Sequence, residues 1–232
     1  MTVIALDNRG VGKSSRPNTP FTIDTFVEDI KELLEYLNVQ EPIHLCGFSM
    51  GGWIALLFVL KYPHLVKTLI LCGTNANLDP QRHEQDLKSQ EELIKNAPLE
   101  EIIQIMIPVC FSTSFRKKLK TDKELFDLIK SDMGLIAYLN DPPRYQDYVN
   151  QLIACEGYDV RELIHKIKQP TLIMVGSKDQ LEPQLKSEFL HQKIPNSTLE
   201  VFDKLGHGFF IENPEKTNNV MWNFLKEYLQ AK

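Results

Sequence analysis

Ser49 lies in a sequence pattern suited to nucleophilic catalysis. It is the centre of Gly-Phe-Ser-Met-Gly, residues 47–51, which matches the pattern G-x-S-x-G. A short apolar run precedes this pattern and an apolar helical pattern follows it, so the serine is predicted on the sharp turn from a strand to a helix. Such a turn presents the hydroxyl at the carboxyl edge of a sheet, where the helix N-terminus favours developing negative charge. The position therefore predicts a serine nucleophile for acyl transfer.

A nucleophilic serine requires a base, and the base requires an acid that orients it. His207 is the favoured base because it lies in a glycine-flanked loop, residues 205–208, after a predicted strand, whereas the other histidines lie within or beside predicted strands and helices. Asp179 is the favoured acid because it follows another predicted strand. The loop after the predicted strand 68–72 has no carboxylate before Asp79, which is therefore the weaker candidate. Ser49, Asp179 and His207 are predicted to form a catalytic triad.

A second motif, residues 10–14, superficially matches a phosphate-binding loop. Its sequence is Gly-Val-Gly-Lys-Ser, but the phosphate-binding pattern G-x-x-x-x-G-K-[ST] requires glycine at position 7, which is Asp7. Such a loop also leads directly into a helix, whereas Pro17 and Pro20 follow here and favour an irregular connection. The segment is predicted to be a structural turn that binds no nucleotide.

The elements that must position these residues follow an α/β pattern. Short apolar runs rich in β-branched residues alternate with segments of helical periodicity, which is typical of parallel strands covered on both faces by crossover helices. A helix with Thr22 or Asp24 as N-cap, a helix that ends at Pro63 and a final helix entered through Asn213 and Pro214 are expected. The predicted strands are residues 3–6, 43–46, 68–72, 171–175 and 199–202.

The alternation is interrupted by a long segment, residues 78–167, in which only helical patterns are found. About 90 residues is too long for a simple connection in a compact domain, so the segment is interpreted as a helical lid over the carboxyl edge of the sheet. Its helices are predicted near residues 87–96, 99–107 and 123–129. The core is then formed by residues 1–77 and 168–232.

Composition and charge exclude several classes of function. The 232 residues include 26 Lys and Arg against 31 Asp and Glu, a net charge of −5, which disfavours nucleic-acid binding. No apolar stretch reaches the roughly 20 residues of a membrane span. The four cysteines are scattered without metal-binding spacing, which predicts no metal site and buried, reduced thiols. Together with the lack of a signal-peptide pattern at the N-terminus, this predicts a cytoplasmic protein.

The motifs around Ser49, Asp179 and His207, together with residues 7–14, resemble those of the α/β-hydrolase superfamily, and most closely those of its lid-bearing haloperoxidase-like esterases and enol-lactonases. The resemblance implies that Ser49 is the nucleophile, that His207 is the general base and acid, and that Asp179 orients it. It also implies that the backbone N–H of Met50 is one oxyanion donor and that Phe48 lies at the substrate site. No cofactor is implied.

The sequence departs from the family pattern before residue 3. Family members have three further strands there, and the loop after the third supplies the other oxyanion donor. The α/β fold is therefore predicted to be short at its N-terminus. Either a gap separates the strands 3–6 and 43–46, or the two strands pair directly.

These observations predict a serine hydrolase that cleaves an ester, thioester or lactone of a small acid through an acyl-enzyme on Ser49. Two alternatives remain: a non-catalytic or weakly active ligand-binding member of the fold, and a C–C bond hydrolase or lyase that uses the same triad. Dehalogenase and epoxide hydrolase activities are disfavoured because those relatives have Asp at the position of Ser49. The partner is a small-molecule substrate, and the sequence leaves both a monomer and a homodimer open.

Overall fold

A computed structural model describes residues 2–79, 99–130 and 144–229 of the chain. The strands of these residues are β1 (Ile43–Phe48), β2 (Val66–Cys72), β3 (Thr171–Gly176) and β4 (Ser197–Phe202). The α-helices are α1 (Ile23–Tyr36), α2 (Met50–Lys61), α3 (Leu99–Cys110), α4 (Thr113–Thr121), α5 (Lys123–Lys130), α6 (Tyr145–Ala154), α7 (Gln184–Lys193), α8 (Phe209–Glu212) and α9 (Pro214–Leu229).

The four strands form one parallel sheet in the order β1-β2-β3-β4. Cys46 pairs with Ile70 between β1 and β2, and Val175 pairs with Val201 between β3 and β4. This sheet, with helices between its strands, confirms the predicted α/β class. Because parallel strands end at the same edge of a sheet, the loops after all four strands converge there.

Alternate side chains of the sheet enter two hydrophobic clusters, one on each face. Leu69, Leu71 and Ile173 belong to the cluster that includes side chains of α1, α2 and α7. Ile70, Met174 and Phe202 belong to the second, which includes α8 and α9. Burial on both faces explains why the central strands β2 and β3 are nearly continuous apolar runs, whereas the outer strands β1 and β4 are only partly buried.

The helix boundaries follow from local capping chemistry. Thr22 is the N-cap of α1, as predicted, with a reciprocal contact to Thr25. The helix α2 ends before Pro63, and α9 starts at Pro214 after Asn213, whose Oδ1 accepts a hydrogen bond from the N–H of Lys216. These predicted helix ends are confirmed.

The prediction of a strand at residues 3–6 is wrong. Residues 2–8 form no strand and Val3 is 79% exposed. β1 lies at the edge of the described sheet and pairs with β2, so residues 3–6 and 43–46 do not pair directly. An apolar run becomes a strand only where a neighbouring strand satisfies its backbone N–H and C=O groups, and in the part of the chain that the structure describes, residues 3–6 have no such neighbour.

The described part of the predicted lid is helical, with no strand in residues 99–130 or 144–167. The helices predicted near residues 99–107 and 123–129 correspond to α3 and α5, whereas the helix predicted at residues 87–96 lies outside the described residues. Cys110, Phe111 and Phe115 form a third hydrophobic cluster with α5. Leu181, in the loop after β3, and Ile211, in α8, pack against this cluster.

The cysteines differ from the prediction in one position. Cys72, Cys110 and Cys155 are buried, but Cys46 is exposed because it lies on the edge strand β1. All four are free thiols. No helix among residues 2–79, 99–130 and 144–229 has the length and apolar character needed to cross a membrane.

Candidate active site

Ser49 adopts a backbone conformation that few non-glycine residues occupy. It lies between β1 and α2 with φ 52° and ψ −121°, and its N–H donates to the carbonyl of Cys72 at 2.9 Å. A Cβ on Gly47 would lie 2.2 Å from the carbonyl oxygen of Gly51, and a Cβ on Gly52 would lie 2.4 Å from Thr74 Oγ1. The close packing around this turn therefore depends on Gly47 and Gly52, whereas a Cβ on Gly51 would meet open space.

His207 and Asp179 form a buried acid–base pair at the carboxyl edge of the sheet. His207 Nδ1 lies 2.7 Å from Asp179 Oδ2, and the two side chains are 4% and 0% exposed. The other carboxylate oxygen, Oδ1, accepts hydrogen bonds from the N–H groups of Leu181 at 2.9 Å and Glu182 at 2.8 Å. A carboxylate on Nδ1 leaves Nε2 as the ring nitrogen that can accept a proton.

Two contacts bring the Ser49 turn next to this pair. The ring of Phe48 lies with its centroid 4.6 Å from that of His207. Gly73 directly follows Cys72, which holds the Ser49 N–H, and a Cβ on Gly73 would lie 3.1 Å from His207 Nδ1 and 3.2 Å from Asp179 Oδ2. The structure therefore brings together the three residues that the sequence singled out.

Ser49 Oγ itself has no hydrogen-bond partner in the described chain. Hydrogen bonds between nucleophile and base are often long or poorly aligned in free enzymes and tighten when substrate binds. The arrangement is thus compatible with proton transfer from Ser49 to His207.

The two residues beside Ser49 have different surroundings. Met50 is the first residue of α2, so its N–H is one of the helix-start groups without an intrahelical acceptor, where the helix dipole favours an anion. Phe48 is 38% exposed and contacts Phe210 as well as His207, with a centroid distance of 4.8 Å to Phe210. Its side chain therefore packs against His207.

The loop after β2 makes contacts with Ser49 and Glu182 that the sequence did not predict. Thr74 Oγ1 donates to the carbonyl of Ser49 at 2.8 Å, and Asn75 Nδ2 donates to Glu182 Oε2 at 2.5 Å. Asp79, the weaker acid candidate in this loop, is exposed, whereas His207 bonds to Asp179. The signal in the sequence was that short polar residues directly follow a buried strand.

The segment at residues 10–14 is a structural turn, as predicted. The N–H of Lys13 donates to Asp7 Oδ2 at 2.9 Å, and Ser14 Oγ donates to the carbonyl of Asp7 at 2.6 Å. A Cβ on Gly12 would lie 2.2 Å from Asp7 Oδ2. The carboxylate of Asp7 occupies the concave side of the turn, so a phosphate there would meet both its volume and its negative charge.

Two clefts are lined by described residues, and one of them reaches Asp179. One of about 430 Å³ is lined by residues of the Asp179 loop and the start of α4, and one of about 580 Å³ lies between the start of α1 and residues 153–160. Neither is lined by Ser49 or His207. Among the described residues, no three His, Cys, Asp or Glu side chains are grouped so that they could hold a metal ion.

Comparison with known proteins gives a consistent picture. The family model described as serine aminopeptidase, S33, matches residues 1–214. The chain is 28% identical to a poly(3-hydroxyalkanoate) depolymerase of Ectopseudomonas oleovorans, covering 99% of this chain and 77% of that protein. It is 31% identical to 3-oxoadipate enol-lactonase 1 of Acinetobacter baylyi, covering 97% and 78%.

A solved structure shows the same architecture. A thermophilic esterase from Thermogutta terrifontis superposes with a TM-score of 0.80 at 28% identity, covering 96% of this chain and 78% of the esterase.

Proposed function

Because this chain belongs to the serine aminopeptidase S33 family of the α/β-hydrolase superfamily, and is a hydrolase by that membership, we propose that it cleaves small carboxylic esters, thioesters or lactones through an acyl-enzyme on Ser49. The observation that carries the proposal is the buried hydrogen bond between His207 and Asp179 beside the strained turn of Ser49. Two of the similar proteins are named an esterase and an enol-lactonase, which supports ester and lactone bonds as the bonds cleaved.

In the proposed mechanism, Ser49 Oγ attacks the substrate carbonyl carbon while His207 Nε2 takes the hydroxyl proton. The negative charge on the carbonyl oxygen is stabilised by the N–H of Met50 at the start of α2. Asp179 holds the imidazole in orientation and stabilises its protonated form. His207 then returns the proton to the leaving alcohol, thiol or enol, and afterwards activates water to release the acid and restore Ser49.

We further propose that residues 78–167 act as a lid over this site. The support comes from the contacts of the described helices: the cluster of Cys110, Phe111 and Phe115 packs against Leu181 and Ile211, and the carbonyl of Cys110 accepts a hydrogen bond from the N–H of Gly208 at 2.8 Å. The inserted helices therefore touch the loops of both the acid and the base. Substrate selectivity would then depend on side chains of the insertion.

The test is turnover of short-chain p-nitrophenyl esters by the chain and by its Ser49→Ala variant. Loss of turnover in the variant, by about 10³-fold or more, is expected because the nucleophile is removed. Equal rates would contradict the assignment. A panel of aminoacyl p-nitroanilides and vinylogous diketones distinguishes the peptidase and C–C hydrolase activities of the fold.

A fluorophosphonate probe tests activation of Ser49 without a choice of substrate. Labelling at Ser49 that disappears in His207→Ala is expected. A folded chain that is not labelled would favour the non-catalytic, ligand-binding alternative.

A further inference from the structure

The loop that follows β2 joins the turn of Ser49 to the loop of Asp179. Thr74 and Asn75 are consecutive and each is 1% exposed. Thr74 bonds to the carbonyl of Ser49, and Asn75 bonds to the side chain of Glu182. Two residues of one short loop thus contact two different parts of the proposed catalytic machinery.

Glu182 is directly connected to the acid. Its backbone N–H donates to Asp179 Oδ1 at 2.8 Å, while Asp179 Oδ2 bonds to His207. The direction in which the Asp179 carboxylate points therefore depends on where the backbone of Glu182 lies. The side chain of Glu182, 7% exposed, is held by Asn75 Nδ2 at 2.5 Å and by Lys186 Nζ at 3.1 Å.

Asn75 is itself fixed on every side. Its Oδ1 accepts the N–H of Asn77 at 2.9 Å, and its backbone carbonyl accepts the hydroxyl of Tyr158 at 3.2 Å. The N–H of Asn77 on one side and the carboxylate of Glu182 on the other allow only one orientation of the amide, with the NH₂ group toward Glu182. A buried hydrogen bond to a carboxylate is among the stronger ones in proteins, so this contact is a rigid link.

We propose that Asn75 and Glu182 are a positioning pair that fixes the Asp179 loop, and through it His207, relative to Ser49. The inference rests on the proposed function, because positioning has a kinetic meaning only if the triad is catalytic. Asn75 and Glu182 do not contact the reacting atoms and act through Asp179.

The experiment exchanges the hydrogen-bond donor and acceptor between positions 75 and 182. Asn75→Asp places a carboxylate against Glu182, and it is expected to lower kcat for a p-nitrophenyl ester by about 10²-fold, the usual scale for displacing a catalytic group by about 1 Å. KM should change by less than about threefold, because substrate contacts are retained. Adding Glu182→Gln supplies an amide NH₂ group that can donate to the new carboxylate at position 75. The double variant should therefore recover most of kcat. Glu182→Gln alone keeps an acceptor for Asn75 and should lose about threefold.

A matched control separates positioning from the general effect of a buried charge. Thr171 is also buried, at the start of β3 and thus at the opposite end of that strand from Asp179, and its Oγ1 donates to the carbonyl of Gln169 at 2.9 Å. Thr171→Asp should lower the melting temperature without lowering kcat. If Asn75→Asp does not fold, Asn75→Ala replaces it, since it removes the amide without adding charge.

A second readout does not depend on turnover. The His207 Nδ1–H proton bonded to Asp179 should give a far-downfield proton NMR resonance, absent from His207→Gln, that broadens or shifts in Asn75→Asp and returns in the double variant. A folded Asn75→Asp or Asn75→Ala chain with wild-type kcat and an unchanged resonance would overturn the inference. A wild-type chain that shows this resonance but no hydrolysis would instead contradict the proposed function.

Discussion

At the scale of single residues, Gly73 lies against the hydrogen bond between His207 and Asp179. It has φ +48°, and an added Cβ would come within 3.2 Å of atoms of both side chains. Gly157 has a similar conformation, φ +75°, but its Cβ would have no neighbour within 4 Å. The two glycines thus share a backbone constraint and differ in what surrounds them.

Alanine at these two positions should therefore have different effects. Each substitution is expected to destabilise the fold by about 1–2 kcal/mol, because alanine is strained in the left-handed region. Only Gly73→Ala should also lower kcat, by about 10-fold or more, because its methyl group displaces the His207 ring. Thermal unfolding and ester turnover of both variants check this, and a loss of kcat in Gly157→Ala would show that the effect is not local.

At the scale of elements, the carboxylate of Glu212 joins the loop of His207 to the inserted helices. Its Oε1 accepts the N–H of Gly206 at 2.7 Å and the N–H of Ser112 at 3.0 Å, and its Oε2 accepts the hydroxyl of Ser112. Ser112 is the N-cap of α4. One side chain in α8 thus ties the start of α4 to the residue that precedes the base.

Removing this carboxylate should loosen both elements. Glu212→Ala leaves two backbone N–H groups without their acceptor and is expected to destabilise the chain by about 2–3 kcal/mol. Hydrogen exchange should increase in residues 112–116 and 205–208 together, and kcat should fall. Glu215→Ala, an exposed acid in the first turn of α9, is the control and should change stability by less than about 0.5 kcal/mol. Faster exchange in only one of the two segments would contradict the coupling.

At the scale of the whole molecule, ion pairs make the stability depend on pH in acid. The pKa values of Glu28, Asp147 and Asp159 are lowered, mainly by side-chain hydrogen bonds from Lys61, Arg144 and Arg161 respectively. Asp147 is the buried member of its pair, and Arg144 also bonds to Asn18 and to the carbonyl of Arg16. This pair therefore connects α6 to the N-terminal part of the chain.

A carboxylate with a lowered pKa in the folded chain stabilises it above its ordinary pKa, and this contribution disappears as the pH falls through the folded value. The ordinary pKa of an aspartate side chain is 3.8, so the stability contributed by Asp147 begins to be lost near pH 3.8, and the loss continues below it. Asp147→Asn should lower stability at pH 7 by about 2 kcal/mol, the scale of hydrogen bonds to a charged group, and should flatten the dependence of stability on pH below 4. Urea unfolding between pH 7 and pH 2.5 measures both effects.

Asp203→Asn, in an exposed ion pair, is the control. If stability fell with pH below 4 as steeply in Asp147→Asn as in the unmodified chain, the proposed contribution of Asp147 would be contradicted.

Much of this molecule could be predicted from its sequence because the local signals were strong. The helix ends at Thr22, Pro63 and Pro214 are set by capping and by proline, and four of the five predicted strand segments lie within β1, β2, β3 and β4. The positions of Ser49, Asp179 and His207 after three of those strands were sufficient to place them at one edge of the sheet.

The remainder depends on contacts between segments distant in the sequence. Residues 3–6 have the composition of a strand, but they can form one only where another strand lies beside them to pair with their backbone. The bond between Asn75 and Glu182 joins positions 107 apart in the chain. No local pattern distinguishes such an asparagine from one in an ordinary surface turn.

The backbone of Ser49, finally, implies a trade-off between stability and activity. A serine with φ 52° and ψ −121° lies in a region that favours glycine, and such residues are strained by about 1–3 kcal/mol. Glycine at this position would release the strain, whereas alanine would keep it. Ser49→Gly should therefore be more stable than Ser49→Ala in denaturant unfolding, although both lack the nucleophile. The proposed use of the Ser49 hydroxyl therefore carries a cost in stability that glycine at this position would avoid.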